Sequence, residues 1–327
     1  MELDVLLPFH RVDRFFDEAL RSLAESEKIT LNVILIDDRL DKSRDIEKSV
    51  SVLKNYSIVR TAGGTGYGNA LFLGTQNLKS DAVALFNSDD LVHPLRFRKQ
   101  IDSLENCELV MTNMQRIDEH EYRIPNLTGN MNSFEYDPLF LIFGSYGANA
   151  SWCMRTDWWA KNAFFDNEAC LDWRIALKTF VNTKINYLPE NLYSYRKHAN
   201  QITNRKPLLK LDMPPTYSLW SNLMEYYGFE SYSIETFGIF GAPWIKTIKI
   251  EPMEISNFVK EIYTFSSHFK PNIEANIKQL IQRRLLFALR SQSNSSFKLW
   301  LALNGMKQIP YVGKELVLAQ FINHFID

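Results

Sequence analysis

The chain has 327 residues, enough for one large domain or for one domain with a smaller appendage. Its 46% apolar and 23% charged residues are those of an ordinary globular protein, and a net charge of -1 offers no field that argues for nucleic acid. Cys107, Cys153 and Cys170 are odd in number and lack metal-type spacing. With no leader-like start and no apolar run near the roughly 20 residues of a membrane helix, the expectation is a cytoplasmic protein with free thiols.

LDVLL (3–7) reads as a buried strand. Phe15, Phe16, Ala19, Leu20 and Leu23 then recur at helical spacing behind Asp13, which stands at an N-cap position. LNVILI (31–36) is a second strand that ends at Asp37-Asp38. DKSRDIEKSVSVLK (41–54) reads as a helix, YSIVR (56–60) as a strand, GNALFLGTQNLK (68–79) as a helix and AVALF (82–86) as a strand. Pro94 suits the first position of a helix that carries Phe97, Ile101 and Leu104 on one face, and CELVMTN (107–113) makes a fifth strand. From 115 to 205 the pattern loosens into loops, short strands and a helix near 171–181. Pro214-Pro215 then marks a break. Ile273, Ile277, Leu280, Arg284 and Ala288 recur at helical intervals, and KELVLAQFINHF (314–325) reads as a last helix. The expected division is an α/β domain over residues 1–205 and a mainly helical region over 206–327.

Strands that are nearly continuous apolar runs and alternate with helices imply a mostly parallel sheet covered on both faces. Ligands bind such sheets outside the carboxyl ends of the strands. Three polar clusters fall at those ends: His10-Arg11, Asp37-Asp38 and Asn87-Ser88-Asp89-Asp90. The adjacent acids Asp89 and Asp90 repel each other, so a positive partner is expected beside them. An aromatic content of 13% suits a carbohydrate site, although buried core explains aromatic residues more often.

Two nucleotide-binding patterns are absent. Gly63, Gly64, Gly66 and Gly68 do not make G-x-G-x-x-G, because Asn69 or Leu71 takes the final position, and they follow the third strand, not the first. That argues against hydride transfer, and no P-loop run occurs. Six other stretches, in order, are LLPFHR, LIDDRLDKS, GGTGYGNALFLG, NSDDLVHP, LDWRIAL and LPENLYSYRKHANQIT. Together they resemble the family 2 glycosyltransferases over residues 3 to about 205. The resemblance implies a GT-A (nucleotide-diphospho-sugar transferase) fold. It also implies inverting transfer of a sugar from a nucleoside-diphosphate donor, UDP-linked by preference, to a hydroxyl of a glycan or lipid-linked acceptor in surface polysaccharide or glycoconjugate synthesis.

The same resemblance assigns expected roles. Asp37 and Asp38, the second above all, would accept from the ring N–H of the base, with backbone around Pro8 and Phe9 and the glycine segment at Gly66 completing the donor site. Asn87, Ser88 and Asp89 would meet the donor sugar or ribose, and Arg196 a phosphate. Asp89, Asp90 and His198 would hold a divalent cation, Mn2+ or Mg2+, since a hard cation suits carboxylate and phosphate oxygens. Asp172 would be the general base, with Asp166 and Glu168 as alternates. Three positions depart from the family pattern: Asn87 in place of an acid, Phe72 in place of Asn, and Leu171 in place of an acid. Asn87 and Leu171 leave open a second reading, a non-catalytic nucleotide- or sugar-binding scaffold. Arg283, Arg284 and Arg290 beside apolar residues suggest either ordinary helix packing or contact with an anionic membrane surface, with packing the stronger expectation.

Overall fold

The computed structural model describes residues 2–124, 137–145, 148–166, 170–201, 213–241 and 252–291. Its strands are β1 (Glu2–Phe9), β2 (Thr30–Asp37), β3 (Tyr56–Arg60), β4 (Ala82–Leu85), β5 (Leu91–Val92), β6 (Leu109–Ile117), β7 (Arg123–Ile124), β8 (Cys153–Arg155) and β9 (Ile185–Arg196). They form one sheet in the order β3-β2-β1-β4-β8-β6-β9-β5, with β7 on β6. β1, β2, β3 and β4 pair in parallel, as β6 does with β9. β8 enters antiparallel between β4 and β6, and β5 lies antiparallel on β9. The long ladders are thus the parallel ones, and the antiparallel strands insert as short pieces.

Side chains that alternate along β1 feed two cores. Leu3, Val5, Leu7 and Phe9 pack with Phe16, Ala19, Leu20 and Leu23 of α1 (Arg14–Ala24). Leu6 faces the opposite way, with Ile34, Ile36 and Leu85, against Ala70 and Leu71 of α3 (Tyr67–Thr75). Each such side chain contributes about 1.5–3 kcal/mol on burial, so the two faces fix β1 at the centre of the sheet. Asp13 caps α1, accepting from the backbone N–H groups of Phe15 and Phe16 at 3.0 and 3.2 Å.

Two expected elements differ, and one strand carries a proline. The helix expected over 41–54 is reduced to α2 (Glu47–Val50). Asp41 and Asp45 each accept from a backbone N–H two residues on, and Arg39 bonds the Arg44 carbonyl, so side chains hold the segment before α2 as a loop. Pro94 lies in the turn before α4 (Arg96–Ser103), not within it. β9 runs through Pro189, because its pairing with β6 jumps from Thr112–Leu188 to Asn113–Asn191, and the bulge takes out a residue that has no N–H to give. α5 (Thr156–Asn162) and α6 (Leu171–Thr179) complete this part.

The chain separates into two compact units, Met1–Tyr136 with Tyr146–Leu208, and Asp137–Ser145 with Leu209–Asp327. The apolar stretch at Pro138–Phe143, a 3-10 turn, therefore counts with the second unit. That unit carries α7 (Met213–Tyr226), α8 (Ile234–Phe240), α9 (Pro252–Ser266) and α10 (Pro271–Ser291). Pro214 and Pro215 fall in the first turn of α7, where proline fits a helix. Trp220 packs on Phe237 and Phe258 and donates its indole N–H to the Ile142 carbonyl at 3.2 Å. Ile273, Ile277, Ile281 and Leu285 of α10 are buried, and Arg284 bonds the Phe143 carbonyl. The helix expected over 314–325 lies outside the described residues. Among the described residues no helix is long and apolar enough to cross a membrane.

Candidate functional site

Sheet register brings distant turns to one rim. Phe9 pairs with Asp37, and Asp37 pairs with Arg60, so the exits of β1, β2 and β3 lie side by side. Leu6 pairs with Leu85, and the Phe86 N–H donates to the Leu6 carbonyl at 3.1 Å, which sets Asn87 beside the same exit. A cleft of about 630 Å³ opens there, lined by Pro8, Phe9, Asp38, Gly66, Asn87, Ser88 and Asp89 among the residues expected from the sequence.

Asp38 is held as an anion. Its Oδ1 accepts from the Thr61 hydroxyl at 2.5 Å and from the Thr65 N–H and hydroxyl at 2.9 and 2.7 Å, and its Oδ2 accepts from the Gly66 N–H at 3.1 Å. Burial would raise its pKa, but these donors outweigh burial and keep it below the ordinary 3.8. Positive φ angles at Gly63 (94°), Gly64 (63°) and Gly66 (91°) bend the 61–66 turn around this carboxylate. Oδ2 accepts one bond, so it has lone-pair capacity left.

Asp37 does not join it. Fully buried, it receives the Arg39 guanidinium on both oxygens at 2.8 Å and the Arg39 N–H at 3.2 Å, and it is absent from the cleft lining. The expected nucleotide contact at Asp37 is thus replaced by a buried ion pair that shapes the loop after β2. Burial raises its pKa, and the Arg39 bonds more than reverse this.

The Asn87-Ser88-Asp89-Asp90 turn splits in the same way. Asp90 is fully buried, with Oδ1 accepting the Arg196 N–H at 2.7 Å and Oδ2 accepting from the Asn87 amide at 3.0 Å and from the Tyr193 hydroxyl. Burial first, and then the neighbouring Asp89 charge, push its carboxyl up to about 7. Expected as a metal ligand, Asp90 has both oxygens engaged inward. Arg196, expected on a phosphate, is buried as well. Its Nε donates to the Asp89 carbonyl at 3.0 Å, its Nη2 meets Glu18 at 2.8 Å, and it stacks over Phe15.

Asp89 and His198 do converge, with Oδ2 and Nε2 3.0 Å apart. The imidazole packs on the Phe15 ring, centroids 4.8 Å apart. A carboxylate oxygen and an imidazole nitrogen at this separation suit neighbouring positions on a small cation, whose ligands at about 2.0–2.1 Å stand about 3 Å from each other. Among the described residues no group of three or more His, Cys, Asp or Glu side chains is placed to hold a metal. The donor set therefore fits a cation that takes its remaining ligands from phosphate or water.

Asp172 stands in the first turn of α6, half-buried, its Oδ1 accepting the Trp173 N–H at 2.8 Å. It does not line the cleft, but its charge acts on Tyr67, which does. Burial and next the Asp172 charge push the Tyr67 phenol up, with smaller contributions from Asp90 and Asp89. The Tyr67 hydroxyl accepts from the Asn149 amide at 3.3 Å. Asp166, an alternate base, is instead closed on Arg174 at 2.6 and 2.8 Å, and Glu168 lies outside the described residues. Phe72 is exposed, with its ring edge-on to Phe165, and Leu171 is buried in the core beneath α3.

Arg39, Leu40, Asp41, Arg44, Tyr67, Tyr195, Asn200 and Gln201 also line the cleft and were not singled out from the sequence. Tyr67 sits inside the G-Y-G run, and Tyr195, Asn200 and Gln201 surround the Arg-Lys-His stretch, so adjacency to a motif was the signal available. Arg39, Leu40 and Asp41 lie inside LIDDRLDKS, and Arg44 falls just past it in the segment that read as helix.

The model of glycosyl transferase family 2 matches residues 4–172. No curated protein matches the chain in sequence. Among solved structures, S. aureus TarS residues 1–349 in complex with UDP-GlcNAc superposes with a TM-score of 0.59 at 15% identity, covering 94% of this chain and 92% of that one. The same fragment with UDP gives a TM-score of 0.52 at 15% identity, over 94% and 91%. A longer S. aureus TarS structure gives 0.54 at 15% identity over 88% of this chain, which spans 52% of that one. These likenesses establish the fold, and the family model covers more than half of the chain. The chain therefore belongs to glycosyl transferase family 2 and is a nucleotide-sugar glycosyltransferase.

Proposed function

We propose that the protein transfers a hexosyl or N-acetylhexosaminyl group from a UDP-sugar to a hydroxyl of a glycan or lipid-linked acceptor, with inversion, in the synthesis of a surface polysaccharide. The supporting observation is that Asp38, Gly66 and Asn87-Ser88-Asp89, which follow three different strands, line one cleft with Tyr67, on which the Asp172 charge acts. Asp38 Oδ2 accepts from the ring N–H of uracil. Asn87 turns its amide NH2 inward to Asp90, so its oxygen is the end suited to accept from a sugar or ribose hydroxyl.

Asp89 and His198 hold a divalent cation, Mn2+ or Mg2+, and Asp90 and Arg196 brace the turn that presents Asp89. A bound cation supplies Lewis-acid neutralisation of the diphosphate leaving group. Asp172 takes the acceptor proton late, as the acceptor oxygen bonds to the anomeric carbon and the bond to the phosphate oxygen breaks, with its electron pair leaving on the diphosphate.

Thermal denaturation with a panel of nucleotide sugars, with and without manganese, tests the reading. A ligand at 100 times its Kd stabilises by about 2.7 kcal/mol, so UDP-sugars are expected to raise Tm more than GDP- or CMP-sugars, and more with the metal. Slow release of UDP from the preferred donor is expected as well. Binding with no turnover across acceptors and no hydrolysis would support the non-catalytic reading instead.

A further inference from the structure

The cleft presents Asp38, Asp41 and Asp89, three acids that repel an anionic ligand, so a diphosphate needs cations in reach. Arg39 is closed on Asp37 and the Arg44 carbonyl, and Arg44 belongs to the loop that follows Asp38. Arg11 is placed differently. It leaves the carboxyl end of β1, lines the cleft and reaches the end where Asp89 and His198 converge. Its Nε is anchored on Asp13 Oδ2 at 3.0 Å. Its other contacts are long: Nη1 to the Asn200 carbonyl at 3.3 Å and Nη2 to His198 Nε2 at 3.4 Å, both beyond the usual limit of about 3.2 Å.

The His198 contact is also a shared one. The same Nε2 lies 3.0 Å from Asp89 Oδ2, and a ring nitrogen carries either a proton or a lone pair. That one capacity goes to the carboxylate, to a cation bound there or to the guanidinium, and never to two of them at once. Arg11 thus holds Nη donors in weak contacts beside the acidic turn, on a stem fixed by Asp13. A planar fork with donors in hand is the chemistry that phosphate oxygens take up.

We propose that Arg11 is a diphosphate-binding residue, whose guanidinium, anchored through Nε on Asp13, turns its Nη groups to the phosphate oxygens of the donor. The assignment rests on the nucleotide-sugar reading above and adds to it a cation supplied by the chain. It places neutralisation of the leaving group partly on a side chain, where Asn87 has removed an acid from the turn.

Calorimetric titration of the whole chain with UDP, uridine and inorganic pyrophosphate, in chelator and then with manganese, tests it. Arg11→Met is expected to weaken UDP and pyrophosphate by about tenfold or more in both conditions, the size of a hydrogen bond between charged groups, while uridine changes by less than about twofold. Arg11→Lys, which keeps the charge but not the fork, is expected to regain part of the loss. A proportional loss for uridine would assign Arg11 to pinning the segment around His198 and Asn200 and would overturn the proposal, as would unchanged UDP and pyrophosphate affinity in a folded Arg11→Met. A wild-type protein that binds pyrophosphate through Arg11 yet does not prefer UDP would overturn the choice of base while supporting Arg11. Binding of neither by the wild type would overturn both.

Discussion

Gly68 carries a sharp test of how the donor side of the cleft is joined to Asp172. It sits in the first turn of α3, and a Cβ built there would fall onto the carbonyl oxygen of Asp166, with the Asp166 nitrogen at 3.2 Å. Those are backbone atoms, so the obstacle cannot rotate away as a side chain would. Gly68→Ala must therefore displace the segment at 166, which is tied through the Asp166–Arg174 pair to the helix bearing Asp172. Overpacking of this kind costs about 1–3 kcal/mol, offset by up to about 1 kcal/mol because Ala favours the helix. At about 2–4 °C per kcal/mol for a domain of this size, the net fall in Tm is a few degrees. Displacing a base by about 1 Å costs about a hundredfold in rate, so kcat is expected to fall far more than stability implies. Donor affinity is expected to hold, because the Asp38 bonds reach only Thr61, Thr65 and Gly66, ahead of the altered position. Gly74→Ala is the control: its Cβ would meet the Ile36 and Leu6 side chains, a core clash that lowers Tm without moving Asp172. Wild-type kcat in Gly68→Ala, or an equal loss of donor binding and turnover, would refute the linkage.

Asp172→Asn is expected to abolish transfer while donor binding by titration stays near wild type; parallel loss of both would mean damage to α6 instead. Asp89→Ala is expected to remove the manganese-dependent part of UDP affinity, and an unaltered metal titration would take Asp89 off the ligand set. Acid stability reports on Asp38. Its folded pKa lies below 3.8, so its contribution is present above that value and is lost as the pH falls through the depressed folded value. Tm-versus-pH curves of wild type and Asp38→Asn are therefore expected to stand apart at neutral pH and converge in acid; a gap that stays constant into acid would show that the carboxylate charge contributes nothing.

The central order of the fold was legible in local sequence because its causes are local. LDVLL, LNVILI and AVALF are apolar at every position but Asp4 and Asn32, a run that suits a strand covered on both faces, and the polar residues that end them had to lie on one rim. Asp13 as a cap and the α1 stripe are equally short-range. By itself, then, the sequence determined the parallel run β1 to β4, the helices against it and the turns that carry Asp38 and Asp89. Only tertiary structure decided which of each acidic pair faces the ligand. Asp37 and Asp38, or Asp89 and Asp90, are the same residue type one position apart, and their sides follow from strand direction and from the partners Thr65, Tyr193 and Arg196 that the fold delivers. The three-residue β8 and the bulge at Pro189 likewise depend on contacts across dozens of residues, which no pattern within a short window encodes.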